Sequence, residues 1–137
     1  MDTKEEKILK ELKEDSRQPI KNISKKTGIK PSTVYKVINR LKDSNTIEKF
    51  TIKTNDKKLN KNFIVYMLVL TSKDIPKNFF DNKYIAEVYG ITGEYDLLMK
   101  LKLPDVDEFN KFVINFRKYK FITKTHTLVA TTKIKEE

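Results

Sequence analysis

The sequence predicts an α+β protein in two parts. A three-helix, winged-type helix-turn-helix domain occupies residues 1–46, and a β-α-β-β-α-β domain with a four-stranded antiparallel sheet occupies residues 63–137. A linking strand and polar connector join them over 47–62. Three observations predict this. Apolar residues recur at helical spacing through residue 41, punctuated by Pro19, Gly28 and Pro31. "FIVYMLVL" (63–70) is a continuous apolar run rich in β-formers, as a strand covered on both faces requires. Two further apolar runs meet across the short turn Gly93–Tyr95, which is a hairpin pattern.

The first helix follows from Ile8, Leu9 and Leu12, with Asp2 or Thr3 as N-cap and a glutamate three residues on, Glu5 or Glu6. Pro19 suits the first turn of the second helix, where a missing N–H costs nothing. Ile20 and Ile23 point inward from it, and Gly28 supplies the left-handed residue just past its end. Pro31 starts the third helix after the turn "GIK", whose Ile29 is the expected buried plug. In "PSTVYKVINRLK" (31–42), Val34, Val37, Ile38 and Leu41 share one face, while Ser32, Thr33, Lys36, Asn39 and Arg40 lie on the other. Two short helices joined by a tight glycine-containing turn form a helix-turn-helix. The polar face of the second helix suits base edges and phosphates in a major groove; it also suits a plain packing unit with a solvated outer face. Lys30 stands where a Ser, Asp or Asn cap is preferred, and Ser32 is the nearest residue able to replace it.

The alternation in "NTIEKFTIKTN" (45–55) predicts a half-buried linking strand with Phe50 and Ile52 pointing one way. The polar "NDKKLNKN" (55–62) follows. After the first strand of the second domain, "SKDIPKNFF" has room for about one or two helical turns. Strands are expected at 84–92, 96–103 and 121–135, and a helix at 105–116 capped by Asp105 with Glu108 in capping-box position. Val106, Phe109, Phe112, Val113 and Phe116 form its apolar stripe, read as core. The order matches the split βαβ, ferredoxin-like arrangement, with both helices on one face of the sheet. The other face, expected to carry apolar residues, calls for cover by a second subunit.

The net charge is +10, of which residues 1–58 carry +7. A basic N-terminal part attracts polyanions with strong salt dependence, although a generally lysine-rich proteome would look similar. No apolar stretch is long enough to span a membrane, no signal-peptide pattern opens the chain, and the expected location is the cytoplasm. The absence of cysteine and the single histidine, His126, speak against zinc and triad chemistry. His126 reads as a half-exposed strand residue. No catalytic residue, metal or cofactor is expected.

"ILKELKEDSR", "ISKKTGIKPSTVYKVINRL" and "GEYDLLMKLKL" together resemble helix one, the helix-turn-helix and the hairpin motif of the Lrp/AsnC family of bacterial and archaeal transcription regulators. The resemblance covers nearly the whole chain. It implies a sequence-specific regulator that binds double-stranded DNA as a homodimer or higher homo-oligomer joined through its C-terminal sheets. It also implies an effector cleft, usually for an amino acid, with Gly93, Tyr95, Asp96, Thr125 and Thr127 on the matching positions. Asp96 suits a ligand ammonium, and the Gly93 backbone with the threonine hydroxyls suits a carboxylate. A purely structural hairpin, with Tyr95 in a subunit interface, accounts for the same turn residues. Three features depart from the family pattern: Lys30 replaces a serine, Asn45 replaces a glycine, and the helix at "DIPKNFF" is shortened.

On this reading Ser32, Thr33, Tyr35, Lys36 and Asn39 contact bases or groove edges, and Lys21, Lys25, Lys30 and Arg40 contact phosphates. One rival is a metabolite-sensing or interaction module that does not bind DNA. Another is an enzyme, since relatives of this architecture decarboxylate a tetrapyrrole. The basic polar face of residues 31–42 argues against both.

Overall fold

The computed structural model describes all 137 residues, Met1–Glu137. The chain forms two compact units, Met1–Lys53 and Thr54–Glu137.

The first unit holds α1 (Thr3–Glu14), α2 (Ile20–Thr27) and α3 (Pro31–Asp43). Asp2 caps α1, its carboxylate accepting from the Glu5 backbone N–H at 2.8 Å. Pro19 is the N-cap of α2, one position earlier than its first turn. Gly28 closes α2 at φ 74°, donating its N–H to the Ser24 carbonyl at 2.9 Å. Ile8, Leu12, Ile23, Ile29, Val34, Val37 and Leu41 form one buried cluster, so Ile29 is the plug beneath the turn. At the start of α3, Lys30 offers no cap and Ser32 does not replace it. Asn45 takes the positive φ of 58° after the helix.

The predicted linking strand forms no ladder within one chain: residues 48–55 carry no regular structure. Phe50 and Ile52 are 47% and 73% exposed. The pattern is that of a strand, but a strand needs a hydrogen-bonded neighbour and the protomer provides none here.

The second unit holds β1 (Phe63–Thr71), a 3-10 turn (Lys77–Asp81), β2 (Ile85–Gly90), β3 (Leu97–Leu103), α4 (Val106–Phe116) and β4 (Ile122–Val129). The sheet order is β2-β3-β1-β4. Every neighbouring pair is antiparallel, so the α+β architecture is that expected. Val65, Met67 and Val69 of β1 and Met99, Leu101 and Leu103 of β3 are buried together with Phe79, Phe112 and Phe116. Asp105 caps α4 by accepting from the Glu108 N–H at 2.9 Å. Val106, placed in the core stripe from sequence, is 51% exposed. It is the first residue of the helix, ahead of the turns that lie on the sheet. The shortened helix is the 3-10 turn, anchored by buried Phe79.

The last strand ends at Val129 rather than 135. The Ala130 N–H still donates to the Ile64 carbonyl at 2.9 Å. The chain then leaves the β4 edge and reaches β3, where Glu136 pairs with Lys100 and, at 3.5 Å, Lys102. Its path crosses the face of the sheet opposite the helices. That face is therefore not simply apolar: one end carries charge and is covered by the chain's own tail. No helix of the chain is long and apolar enough to cross a membrane.

Candidate nucleic-acid interface and effector hairpin

Helix α3 is held by its buried side. Val34, Val37 and Leu41 are each no more than 3% exposed. At 100° per residue, Ser32, Tyr35, Lys36 and Asn39 fall on the opposite side. Ser32, Tyr35 and Lys36 are exposed, Tyr35 by 58%; Asn39, on the same side, is half-buried, as is Thr33 at the flank. Lys21, Lys25 and Lys30 are exposed on α2 and the turn. Exposed donors and acceptors on one flank of a rigid helix, with free cations beside it, are what groove recognition needs.

Arg40 is placed differently. Its guanidinium pairs with the Glu5 carboxylate of α1 at 2.7 Å and lies 3.8 Å from that of Asp2. Of the cations assigned to phosphates from sequence, it is the one engaged by carboxylates of its own unit, because residue 40 lies on the α1 side of α3.

The hairpin is defined by Gly93 at φ 110° and by Asp96. Asp96 Oδ2 accepts from the Thr71 backbone N–H at 2.8 Å and the Thr71 hydroxyl at 3.0 Å. Asp96 also lines a shallow cavity of 430 Å³ with Thr71, Ser72, Lys73, Asp74, Ile75, Phe80 and Leu97, beside the shortened helix. Tyr95 turns toward β4: its ring centroid is 6.5 Å from that of His126, and Lys124 Nζ lies 5.4 Å from it. Glu94 accepts from Lys124 at 3.0 Å.

His126 pairs in register with Leu68, and Lys124 with Leu70. Thr125 and Thr127 pair with the buried Val69 and Met67. Strand alternation therefore puts both threonines on the helix side and the residues beneath Tyr95 on the opposite side. One protomer brings Gly93, Tyr95 and Asp96 together; it does not bring Thr125 and Thr127 to them.

The profile of the winged helix-turn-helix DNA-binding family matches residues 1–48, and that of the Lrp/AsnC ligand binding domain matches residues 72–137. An HTH-type transcriptional regulator of Pyrococcus furiosus is 37% identical over 145 residues, spanning all of this chain and 97% of that protein. The chain belongs to the Lrp/AsnC family. Among solved structures, an AsnC family transcriptional regulator from Agrobacterium tumefaciens superposes with a TM-score of 0.90 at 22% identity, covering 99% of this chain and 94% of that one. A transcriptional regulator from Neisseria meningitidis, solved as a complex with L-methionine, gives a TM-score of 0.90 at 18% identity over 99% of this chain and 93% of that one. These last two likenesses establish the fold.

This Lrp/AsnC protein is thus a helix-turn-helix DNA-binding transcription regulator. It carries one polar cluster that sequence reading missed. Asp56, only 8% exposed, accepts from Lys133 at 2.7 Å and Lys102 at 3.1 Å. Glu136 binds Lys100 and, at 3.2 Å, Lys133. The hydrogen bond from Lys100 holds the Glu136 carboxyl down at about 2, against the opposing effect of burial. Burial pulls Lys100 downward, but Glu136 outweighs it and the ammonium is raised on balance. Asp56 is lowered, chiefly by the Lys133 hydrogen bond. The signal was present in "LLMKLKL": lysines at alternate positions of a central strand need counter-charges.

Proposed function

We propose that this regulator reads duplex DNA with α3 in the major groove, acting as a homodimer or higher oligomer joined through the sheet of its second unit. The observation that carries the reading is the face of α3 bearing Ser32, Tyr35, Lys36 and Asn39, left clear of its own unit's core. Lys21, Lys25 and Lys30 are proposed to hold phosphates. Arg40 does so only by leaving Glu5.

Assembly is argued from the open sheet face. Tyr89, Leu98, Leu68 and His126 stand in one row across all four strands. Tyr89 is 59% exposed, and Leu128 close by is 49% exposed. Exposed apolar side chains grouped in this way are normally covered, and a second copy is the proposed cover. The 48–55 segment, which forms no ladder within one protomer, would gain ladder partners in such an assembly.

The same reading assigns the protein a regulatory role in the cytoplasm and no catalytic one. Its effector is proposed to be an amino acid bound weakly, as one relative is solved with L-methionine. Two features support weak binding: Asp96 is already committed to Thr71, and the threonines face away from the hairpin. The test combines enrichment of random duplex DNA by the purified protein with light scattering. A recovered sequence motif and a mass of two or more chains are expected; a monomer that enriches no motif would contradict the reading.

A further inference from the structure

A second basic surface lies on the sheet unit. Arg117, Lys118 and Lys120 are exposed in the segment "FRKYKF" (116–121), which contains no acid. Lys73 and Lys77 are exposed in the segment after β1. The fold brings the two segments together. The Ser72 N–H donates to the Phe121 carbonyl at 2.9 Å, so Lys73 and Lys120 each stand one residue from a shared backbone bond. Phe79, two residues after Lys77, meets the ring of Tyr119 edge-on at 4.9 Å. Tyr119 sits between Lys118 and Lys120. Phe79 also packs on Phe116 at 5.3 Å and Phe121 at 5.4 Å, which fixes the platform.

None of the five cations forms an ion pair, and Asp74 and Asp81, the acids on the same two segments, are paired with none of them. Elsewhere in the unit Lys100, Lys102, Lys111, Lys124 and Lys133 hold carboxylates, while Lys57, Lys58, Lys61, Lys83 and Lys135 do not; the patch is marked by the convergence of its cations from two segments. The α4 dipole accounts for a cation or two just past its C-terminal end at Phe116. It does not account for Lys73 and Lys77, which come from another element and add like charge to the same place. Clustered like charges oppose folding unless a partner neutralises them.

We propose that this patch contacts the phosphate backbone of DNA flanking the sequence read by α3. The proposal rests on the reading that the protein binds DNA through α3, and it adds a second, sequence-independent footing. Lysine and arginine on a rigid surface recognise phosphates without reading bases.

The test uses the full-length protein and two duplexes. One carries only the enriched sequence; the other extends it by about two helical turns on each side. The variant replaces Arg117, Lys118 and Lys120 by glutamine. All three side chains are exposed, and an unchanged melting temperature verifies the fold. On the extended duplex the slope of log affinity against log salt should become shallower by about 0.9 for each phosphate that is no longer neutralised. On the short duplex it should not change, and base preference should be kept on both. Lys73→Gln with Lys77→Gln, from the other element, should act in the same direction. Parental slopes for both variants on the extended duplex would overturn the proposal, including the case where an acidic protein is the patch's partner. Failure of the α3 reading is a separate result: Asn39→Ala would keep the parental base preference.

Discussion

Arg40 of α3 forms an ion pair with Glu5 of α1 at 2.7 Å. The two helices are thereby joined beside the proposed DNA face, and one of the proposed phosphate ligands already has an anion. Its side chain is 58% exposed, so the pair contributes little to stability, about 0–1 kcal/mol. Arg40→Ala should therefore weaken DNA binding less than Lys25→Ala, whose cation is exposed and paired with no acid. Affinities measured across a salt series will show it. A larger loss of slope in Arg40→Ala would mean that the arginine leaves Glu5 for a phosphate.

Asp96→Ala removes an acceptor used twice by Thr71. The Thr71 amide is exposed and turns to water, so the loss is that of a net hydrogen bond, about 0.5–1.5 kcal/mol. Denaturant unfolding should shift by that amount with no ligand present. Calorimetry of the parent with the twenty amino acids should show no binder at about micromolar or tighter. A tight binder abolished by Asp96→Ala would reverse the assignment of this carboxylate from turn fastening to ligand binding.

Most of the fold was legible because local chemistry and global packing agree at the residues that punctuate it. Gly28, Pro31, Asn45 and Asp105 each do in the structure what their chemistry favours. The linking strand was legible as a pattern but not as a ladder, since alternation says nothing of who the neighbour is. The end of β4 was misjudged for a related reason. "TTKIK" is good strand sequence, yet β4 is an edge strand whose β1 partner runs out at Phe63, and the charges of Lys133 and Glu136 are satisfied only by crossing to Asp56 and Lys100. In the candidate site, the exposed side of α3 followed from helical periodicity. The Arg40–Glu5 pair did not, because it depends on how α1 lies against α3.

Gly28 stands at φ +74°, and a Cβ built there meets nothing within 4 Å. Gly28→Ala should then cost only the left-handed backbone penalty, about 1–2 kcal/mol. A thermal melt of the variant tests this, and the DNA motif it selects should be unchanged.

Glu136 titrates at about 2, below its ordinary value of 4.5, chiefly through the Lys100 hydrogen bond. A depressed carboxylate adds stability that is complete above the unfolded value and is lost as pH falls toward the folded one. The window is thus from about 4.5 down to about 2. Glu136→Gln should lower stability at neutral pH by about 1 kcal/mol after solvent screening. It should also flatten the acid limb across that window. Parallel curves for parent and variant would show that the tail does not hold the sheet in solution.

The central claim is that α3 reads sequence through its exposed side. Lys36 and Asn39 lie one turn apart there, and Asn39 is a side chain suited to bidentate recognition of adenine. The decisive measurement is selection from random duplex DNA by the parent and by Asn39→Ala side by side. The account predicts a motif for the parent, loss of preference at one position of each half-site for the variant, and a cost of about 1–3 kcal/mol on the parental sequence. The same motif, selected with the same stringency by both proteins, would contradict it.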